Sequence, residues 1–243
     1  RLDARWPLHR AKVSGVELHP RDGSVMATAS VDRTCRLWDL RRLSSDPGAC
    51  LPLLSLTFGG VATAAHFSPD GARLLVTTQN DAVSVFQLSS ARGTAELVTC
   101  DRPGWREGRM ELAHPHRFYQ HLTQFRATWH PRSNDLFIIG RWPAKDASGR
   151  DAEKGLDLFD TAGTLRCRIG AAWDGIHAGG AAIRSDGEAV AAMSGHSALL
   201  YLSPAEIAAA LPHPVHHSGG DVSGVGRGGA SGRGRGRGGG SDG

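Results

Sequence analysis

The chain has 243 residues, of which 40% are hydrophobic and 21% charged, and its formal net charge is +4. This is a globular balance without a class-defining excess, and it contains no run of about 18 apolar residues, which excludes a transmembrane helix. Four widely spaced cysteines without a Cys-x-x-Cys pair argue against a zinc ribbon and a disulfide framework, consistent with a reducing compartment.

The N-terminal ten residues show no targeting signal. They lack both an apolar run and a cleavage site, so we expect no secretory signal. The first residue is Arg1 rather than Met, and we expect the natural N-terminus to lie upstream. Residues 2–9, LDARWPLH, are expected to form the last strand of a structural repeat that precedes the ones below.

An internal repeat follows, in which residues 12–40 align with residues 60–88. Each segment has an alternating strand that stops at a proline, an Asp-Gly turn, a hydrophobic strand and a last strand that ends in an aromatic ring. The corresponding residues are Pro20, Asp22-Gly23, 25–29 and Trp38 in the first segment, and Pro69, Asp70-Gly71, 74–77 and Phe86 in the second.

Two further copies of this pattern follow. The third comprises residues 125–142 with Pro131 and, after a polar insertion, residues 155–160; the fourth comprises residues 180–202, with its turn at Asp186-Gly187. Successive copies are 49, 62 and 54 residues apart. Repeats of about 40–45 residues with four short strands are typical of propeller blades.

We therefore predict an all-β fold, a WD-repeat β-propeller, over residues 1–204. About four blades are present, and we expect them to be the C-terminal part of a larger, seven-bladed ring. Residues 205–218 are predicted to form a short helix or a linker. Residues 219–243 are rich in Gly, Arg and Ser and cannot form a core, so we predict a disordered tail. This tail is either a flexible end or an arm that binds nucleic acid.

The long second spacing places extra residues between Leu88 and Gln124. We interpret them as a long connection between blades, displayed on one face of the propeller, with a hairpin around residues 112–123. Residues 114–123, HPHRFYQHLT, have neither a strand period nor a helical stripe. Two interpretations are open: the hairpin has a binding function, or it packs on the rim of the propeller.

Six segments of the chain resemble the small WD-repeat subunit of the UV-damaged-DNA-binding heterodimer. They are HPHR, QHLT, ATWHPR, IIGRWP, FSPDGARLLVTT and VMATASVDRTCRLWDLRR. The resemblance covers about residues 12–203. In that family an aromatic-Gln-His triplet enters the minor groove and fills the space left by displaced damaged bases. The matching residues are Tyr119, Gln120 and His121, with tyrosine where the family usually has phenylalanine. Physical chemistry agrees, because such a wedge needs a flat apolar ring beside polar groups that meet the orphaned base edges.

The same resemblance implies further DNA contacts. Lys12 occupies the position of a family lysine that contacts DNA at the damaged site, although relatives have a run of lysines there. Arg117 and His116 are expected to add phosphate contacts. The alternative for Lys12 is an ordinary solvated lysine.

A second constellation, ASVDRTCRLWDLRR, resembles the box by which propeller receptors dock on the adaptor of the cullin-four ubiquitin ligase. Its residues here are Asp32, Trp38, Asp39 and Arg41. We expect Trp38 to pack within the blade and Asp39 to orient Arg41 toward the propeller face. The alternative is that the Trp-Asp pair is only a structural repeat signature and that Arg41 merely pairs with a carboxylate.

No catalytic machinery is recognisable in the sequence. The histidines His114, His116, His121 and His130 are spaced too irregularly for a zinc site, and no nucleophile elbow or phosphate-binding glycine pattern is found. We therefore predict a protein that is not an enzyme and uses no cofactor or metal.

The predicted function is recognition of UV-damaged double-stranded DNA in nuclear chromatin, which initiates nucleotide excision repair. The expected partners are the large propeller adaptor subunit and the cullin-four ubiquitin ligase, for which the protein would be the substrate receptor. No membrane association is expected. The alternative is a generic WD-repeat ligase receptor or scaffold whose loop binds a protein partner.

Overall fold

The structure is a computed structural model. It describes residues 5–46, 48–91, 94–98, 105–116, 125–142, 148–149, 154–170, 181–186, 189–194 and 197–201. The chain divides into one compact unit, Arg1–Leu211, and a second unit, Pro212–Gly243, which lies outside the described residues. The predicted linker at 205–218 and the predicted tail at 219–243 also lie outside them. Within the described ranges no helix is long and apolar enough to cross a membrane.

Blade 1 is an antiparallel sheet with its strands in chain order. These strands are β1 (Val13–Leu18), β2 (Val25–Ser30), β3 (Thr34–Asp39) and β4 (Leu54–Thr57). Asp22 shapes the β1–β2 turn, because its carboxylate accepts the Ser24 N–H at 2.9 Å and its carbonyl accepts the Val25 N–H at 3.0 Å. A single 3₁₀ turn, Leu40–Arg42, follows β3.

Blade 2 is larger. Its strands are β5 (Ala62–Phe67), β6 (Arg73–Thr78), β7 (Ala82–Ala91), β8 (Thr94–Leu97), β9 (Trp105–Arg106) and β10 (Arg109–Ala113). β7 lies between β6 and β10, and its distal part pairs with β8. The tight turn before β6 contains Gly71 at φ 78°, the left-handed region that glycine adopts without a steric penalty.

The interpretation of residues 88–124 as one long connection between blades is wrong for its central part. β10 is the fourth strand of blade 2 and pairs with β7 through Met110↔Val85. The sequence concealed it because β7 continues beyond Phe86 into a hairpin with β8, which separates β10 from the rest of its blade. The connection between blades 2 and 3 therefore begins only at His114.

Blades 3 and 4 have simpler sheets in chain order. Blade 3 contains β11 (Thr128–Trp129), β12 (Leu136–Arg141), β13 (Gly155–Asp160) and β14 (Leu165–Gly170). The described part of blade 4 contains β15 (Ala181–Ile183), β16 (Val190–Ser194) and β17 (Ser197–Tyr201). The prediction of about four blades is confirmed, and the larger ring of seven stays a prediction.

Among the described residues, three apolar cores lie between neighbouring blades, and alternate residues of one strand contribute to different cores. Leu74 and Val76 of β6 face the core shared with blade 1, whereas Leu75 faces the core shared with blade 3. Phe137 of β12 likewise faces blade 2, and the adjacent Ile138 faces blade 4. The two-residue side-chain period of a strand buried on both faces thus joins the blades.

The described part of residues 2–9 is not a strand, so that expectation is wrong for residues 5–9. This stretch packs against blade 1 through side chains instead. The Leu8 carbonyl accepts Arg36 Nη1 at 2.7 Å. His9 Nε2 lies 2.7 Å from Thr28 Oγ1, and His9 Nδ1 lies 3.0 Å from Asp32 Oδ2. Residues 8 and 9 are therefore held against blade 1 by hydrogen bonds that involve side chains rather than by main-chain strand pairing.

Candidate nucleic-acid interface

The two predicted binding sites lie at opposite ends of blade 1. We call the end at which β1 begins the Lys12 end, and the end at which β3 stops the Arg41 end. A six-residue strand rises about 3.3 Å per residue, so these ends are about 17 Å apart.

Exposed positive side chains from two parts of the chain lie at the Lys12 end. Arg10, Lys12 and Arg126 are all exposed. The Lys12 carbonyl accepts the Val31 N–H at 2.9 Å, which fixes the backbone from which its ammonium group projects. Arg126 Nη2 donates to the Ser14 carbonyl at 3.2 Å, which brings Arg126 beside β1. The Lys12 end of blade 1 therefore carries a small, exposed basic surface formed by Arg10, Lys12 and Arg126.

Of the hairpin predicted around residues 112–123, residues 112 and 113 belong to β10 instead. We call residues 117–124 the hairpin segment; it lies outside the described residues, and with it Arg117, Tyr119, Gln120 and His121. The structure does describe both stretches that flank it. We call residues 114–116 the leading root and residues 125–127 the trailing root. Both roots lie at the Lys12 end of blade 2.

The leading root is attached to two blades. The His114 N–H donates to the Asp81 carbonyl at 2.8 Å, and the His116 N–H donates to Asp81 Oδ1 at 3.1 Å, in the turn between β6 and β7. The Pro115 carbonyl accepts the Trp142 N–H at 2.7 Å, just after β12 of blade 3. The backbone of the leading root is thus held by hydrogen bonds to both blades.

The trailing root is attached through buried threonines. Thr77 Oγ1 accepts the Ala127 N–H at 2.9 Å, and Thr63 Oγ1 donates to the Phe125 carbonyl at 3.2 Å. The side chain of Phe125 is buried. Two main-chain groups of the trailing root are therefore hydrogen-bonded to threonine side chains of the sheet. Without these partners, burying the groups away from water would cost free energy.

The expectation that His116 contacts phosphate is wrong for this arrangement. Its side chain is 3% exposed, and Nε2 lies 2.7 Å from the Thr78 carbonyl oxygen. Burial lowers the pKa of His116, although the hydrogen bond to Thr78 opposes that effect. His116 belongs to the interior of the root, where a phosphate cannot reach it.

His114 continues this buried polar network into blade 3. Its Nδ1 lies 3.3 Å from His116 Nδ1, and its Nε2 lies 3.3 Å from Asp157 Oδ2. Arg168 Nε donates to Asp157 Oδ1 at 2.7 Å. Burial alone would raise the pKa of Asp157, but the hydrogen bonds from His114 and Arg168 outweigh burial, and the pKa is lowered. Asp157 is therefore an anion within an otherwise buried cluster.

The residue of blade 3 that donates its N–H to the leading root is aromatic, and no role was predicted for it. Trp142 follows β12, and Lys154 Nζ lies 4.0 Å from the centroid of its ring. A half-buried indole with a cation over one face is suited to stacking against a base or a sugar. The only sequence signal for it was a large aromatic residue directly before a proline at a strand end.

At the Arg41 end, Asp39 holds Arg41 in a bidentate pair. Arg41 Nε donates to Asp39 Oδ1 at 2.9 Å and Nη2 donates to Oδ2 at 2.8 Å. Arg41 is 67% exposed, whereas Asp39 is buried. Hydrogen bonding from Arg41 lowers the pKa of Asp39 to about 2. The expectation that Asp39 orients Arg41 is consistent with this geometry, which presents a charged and pre-oriented guanidinium at the surface.

Asp32 and Trp38 do not join that pair. Asp32 lies beyond the other end of β3, where its carboxylate accepts the Thr34 hydroxyl at 2.6 Å and lies 3.0 Å from His9 Nδ1. The Trp38 side chain is buried, and its Nε1 donates to Thr28 Oγ1 at 2.8 Å. Trp38 thus packs within the blade as expected, whereas assigning Asp32 to a docking surface at the Arg41 end is wrong, because its carboxylate is used at the opposite end of β3.

Residues 3–39 match the WD domain, G-beta repeat family. The solved WD40 domain of coronin from Toxoplasma gondii aligns with 79% of this chain and 42% of its own chain, at a TM-score of 0.53 and 13% sequence identity. That likeness concerns the fold, and it agrees with the four-blade arrangement. The chain therefore has a WD-repeat propeller fold. The predicted propeller class is thereby confirmed.

The family resemblance inferred from the sequence is also confirmed. The chain is 36% identical over 165 residues to DNA damage-binding protein 2 of Mus musculus, which covers 67% of this chain and 34% of the relative. It is 38% identical over 166 residues to DNA damage-binding protein 2 of Bos taurus, covering 65% and 34%. It is 30% identical over 142 residues to Protein DAMAGED DNA-BINDING 2 of Arabidopsis thaliana, covering 57% and 23%. The WD-repeat chain thus spans about a third of the length of its first two relatives.

Among the residues that the structure describes, no group of three or more His, Cys, Asp or Glu side chains could hold a metal ion. The buried cluster of two histidines and Asp157 is instead satisfied by a main-chain carbonyl and by arginines.

Proposed function

We propose that this chain binds damaged double-stranded DNA at the Lys12 end of its blades, as a non-enzymatic recognition protein of the cell nucleus. The observation that carries the proposal is that both roots of the hairpin segment lie at the same end as the exposed Arg10, Lys12 and Arg126. Two relatives whose names state DNA damage binding support it. Phosphate contacts by these cations would supply affinity that does not depend on base sequence.

The finer mechanism that we propose is base displacement. Tyr119 would enter the minor groove as a wedge, Gln120 would meet exposed base edges, and His121 would hold the opened gap. Extruding a base costs a few kcal/mol, and less when damage has already weakened its stacking, so the selectivity for lesions would come from the DNA itself. Rigid roots favour such a wedge, because a segment whose two ends are fixed spends less free energy on ordering when it binds.

The test is competition between irradiated and intact duplexes at one fixed salt concentration. Replacing Tyr119, Gln120 and His121 together by alanine should weaken binding to damaged duplex by about 2–5 kcal/mol, from the loss of ring–base contacts and of gap filling. Binding to intact duplex should change little, because it depends on phosphate contacts. Leu51→Ala, at a residue that is 79% exposed on blade 1, is the control.

A triple variant that keeps its preference for damaged duplex would overturn the hairpin mechanism. A wild-type chain with no preference for damaged duplex would overturn DNA recognition as a whole. It would favour the alternative function, a WD-repeat receptor or scaffold whose hairpin binds a protein.

We also propose that the Arg41 end docks the adaptor of a cullin-four ubiquitin ligase, so that damaged chromatin and ligase are held at opposite ends of one blade. The bidentate Asp39–Arg41 pair supports this proposal, because a guanidinium that is already oriented loses little side-chain entropy when it meets an acidic or carbonyl partner. Initiation of nucleotide excision repair would follow from holding both partners at the lesion.

A further inference from the structure

The buried histidines of the leading root present a proton-counting problem. Between them His114 and His116 have four ring nitrogens, and each nitrogen faces a specific partner. The two outer nitrogens face oxygen acceptors, the Thr78 carbonyl at 2.7 Å and Asp157 Oδ2 at 3.3 Å. The two inner Nδ1 atoms face each other at 3.3 Å. Neither oxygen can donate, because one is a carbonyl and the other belongs to an ionised carboxylate.

Two protons cannot satisfy these contacts. Each outer nitrogen needs a hydrogen to approach its oxygen, and the inner pair needs one hydrogen between its two nitrogens. If both rings were neutral, two lone pairs would face each other either between the rings or between His114 and Asp157. Both side chains are almost completely buried, so water cannot relieve that repulsion.

We propose that His114 and His116 together hold three ring protons, and that this shared positive charge, held by Asp157, makes them positioning residues for the hairpin segment. His116 donates from Nε2 to Thr78 and accepts at Nδ1. His114 donates from both nitrogens, to His116 and to Asp157. The charge thereby ties the leading root, which belongs to blade 2, to β13 of blade 3. The positioning role rests on the proposed function, whereas the proton count does not.

The charged groups around the pair are consistent with this assignment. Asp157 faces His114 from β13, and Asp81 faces the His116 backbone from the β6–β7 turn. Arg168 and Arg141 also contact the Asp157 carboxylate, and both are partly exposed, so solvent screens them more than it screens His114. The Phe159 ring packs edge-on against His114 and keeps water away. Of the two rings, only that of His114 faces a carboxylate, so the additional proton is placed on His114.

The proton count can be measured on the full chain by ring ¹H–¹⁵N correlation after ¹⁵N-histidine labelling, with the twelve histidines assigned by substitution. Near neutral pH we expect one ring, that of His114, with both nitrogens protonated, and His116 as a neutral ring protonated at Nε2. Asp157→Asn should convert His114 to a neutral ring. Asp160→Asn is the matched control, because Asp160 lies on the same strand and pairs with Arg166 rather than with a histidine.

Two neutral rings in the wild-type spectrum would overturn the proton count, and this holds even if Asp157→Asn fails to fold. The positioning role is tested by the affinity ratio between irradiated and intact duplex. Asp157→Asn should lower that ratio by about fivefold or more, a typical size for coupling between sites, while Asp160→Asn leaves it unchanged. An equal ratio in the two variants would overturn the positioning role. A wild-type chain without lesion preference would count against the proposed function and leave the ring measurement intact.

Discussion

The trailing root gives the sharpest stability prediction. Thr77 is completely buried in β6, and its hydroxyl oxygen accepts the N–H of Ala127, which is also completely buried. Valine has nearly the same shape as threonine, so Thr77→Val removes the acceptor without opening a cavity, and both residues are β-branched. The Ala127 N–H then loses this acceptor in a site that solvent does not reach.

Leaving a buried donor unsatisfied costs about 1–3 kcal/mol, so Thr77→Val should lower the free energy of unfolding by that amount. The matched control is the neighbouring Thr78→Val. Thr78 Oγ1 donates to the Ala82 carbonyl at 3.0 Å, and a carbonyl retains a second lone pair when one donor is lost. For this control we expect a loss of about 0.5–1 kcal/mol.

The assay is urea unfolding of the full chain followed by tryptophan fluorescence, with the midpoint compared at an unchanged denaturant slope. Thr77→Val should also reduce the preference for irradiated duplex, because the trailing root sets where the hairpin segment returns to the sheet. A Thr77→Val midpoint equal to that of the unsubstituted chain would refute the reasoning, since it would mean that the Ala127 N–H gains nothing from Thr77.

Three further predictions concern docking, DNA contact and pH. Arg41→His should reduce co-purification of the ligase adaptor while binding to damaged DNA persists. The control is Arg42→His, because Arg42 is similarly exposed and lies 3.7 Å from the same Asp39 carboxylate; it should leave co-purification unchanged. Equal recovery of the adaptor with both variants would contradict docking through Arg41. Lys12→Glu should weaken binding to both irradiated and intact duplexes. The dependence of the binding constant on salt concentration should become less steep by the amount expected for about one phosphate contact. An unaltered slope would mean that Lys12 is a solvated charge that does not contact DNA. Burial lowers the pKa of His9 and His130 in the folded chain, so the unfolded chain takes up protons that these folded rings do not. Their contribution to the free energy of unfolding should therefore fall between about pH 7.5 and about pH 5.5, while the charge proposed on His114 contributes with the opposite sign. Urea midpoints at the two pH values test this, and His9→Gln should reduce the difference.

The repeat in the sequence was a reliable guide to the blades. Asp22-Gly23 and Asp70-Gly71 mark turns that the structure contains, and the predicted strands at 25–29 and 74–77 lie within β2 and β6. Such features depend on neighbours along the chain, because turn geometry and side-chain alternation are local. The fourth strand of blade 2 was missed for the opposite reason: β10 pairs with residues more than twenty positions away.

Some residues of the candidate site could likewise be predicted from the sequence, and others could not. The sequence, through its resemblance to a family, indicated Lys12 and Arg41, and the structure places both at exposed positions, at opposite ends of blade 1. It could not show that His116 is buried, because a histidine in a polar stretch has the same pattern whether it contacts solvent or the carbonyl of a distant strand. Asp32 was misassigned similarly, since its proximity in sequence to Trp38 says nothing about which end of β3 it occupies.

By itself, the sequence determined the blade repeat, the strand alternation and the turn positions, all of which follow from residues within a few positions of one another. Only the tertiary structure decided which side chains from different blades come together. Asp157 meets His114 from 43 positions away, and Arg126 reaches Ser14 across 112 positions. These contacts depend on how whole sheets pack through their alternating apolar faces, and no local pattern records the charge or the protonation that results.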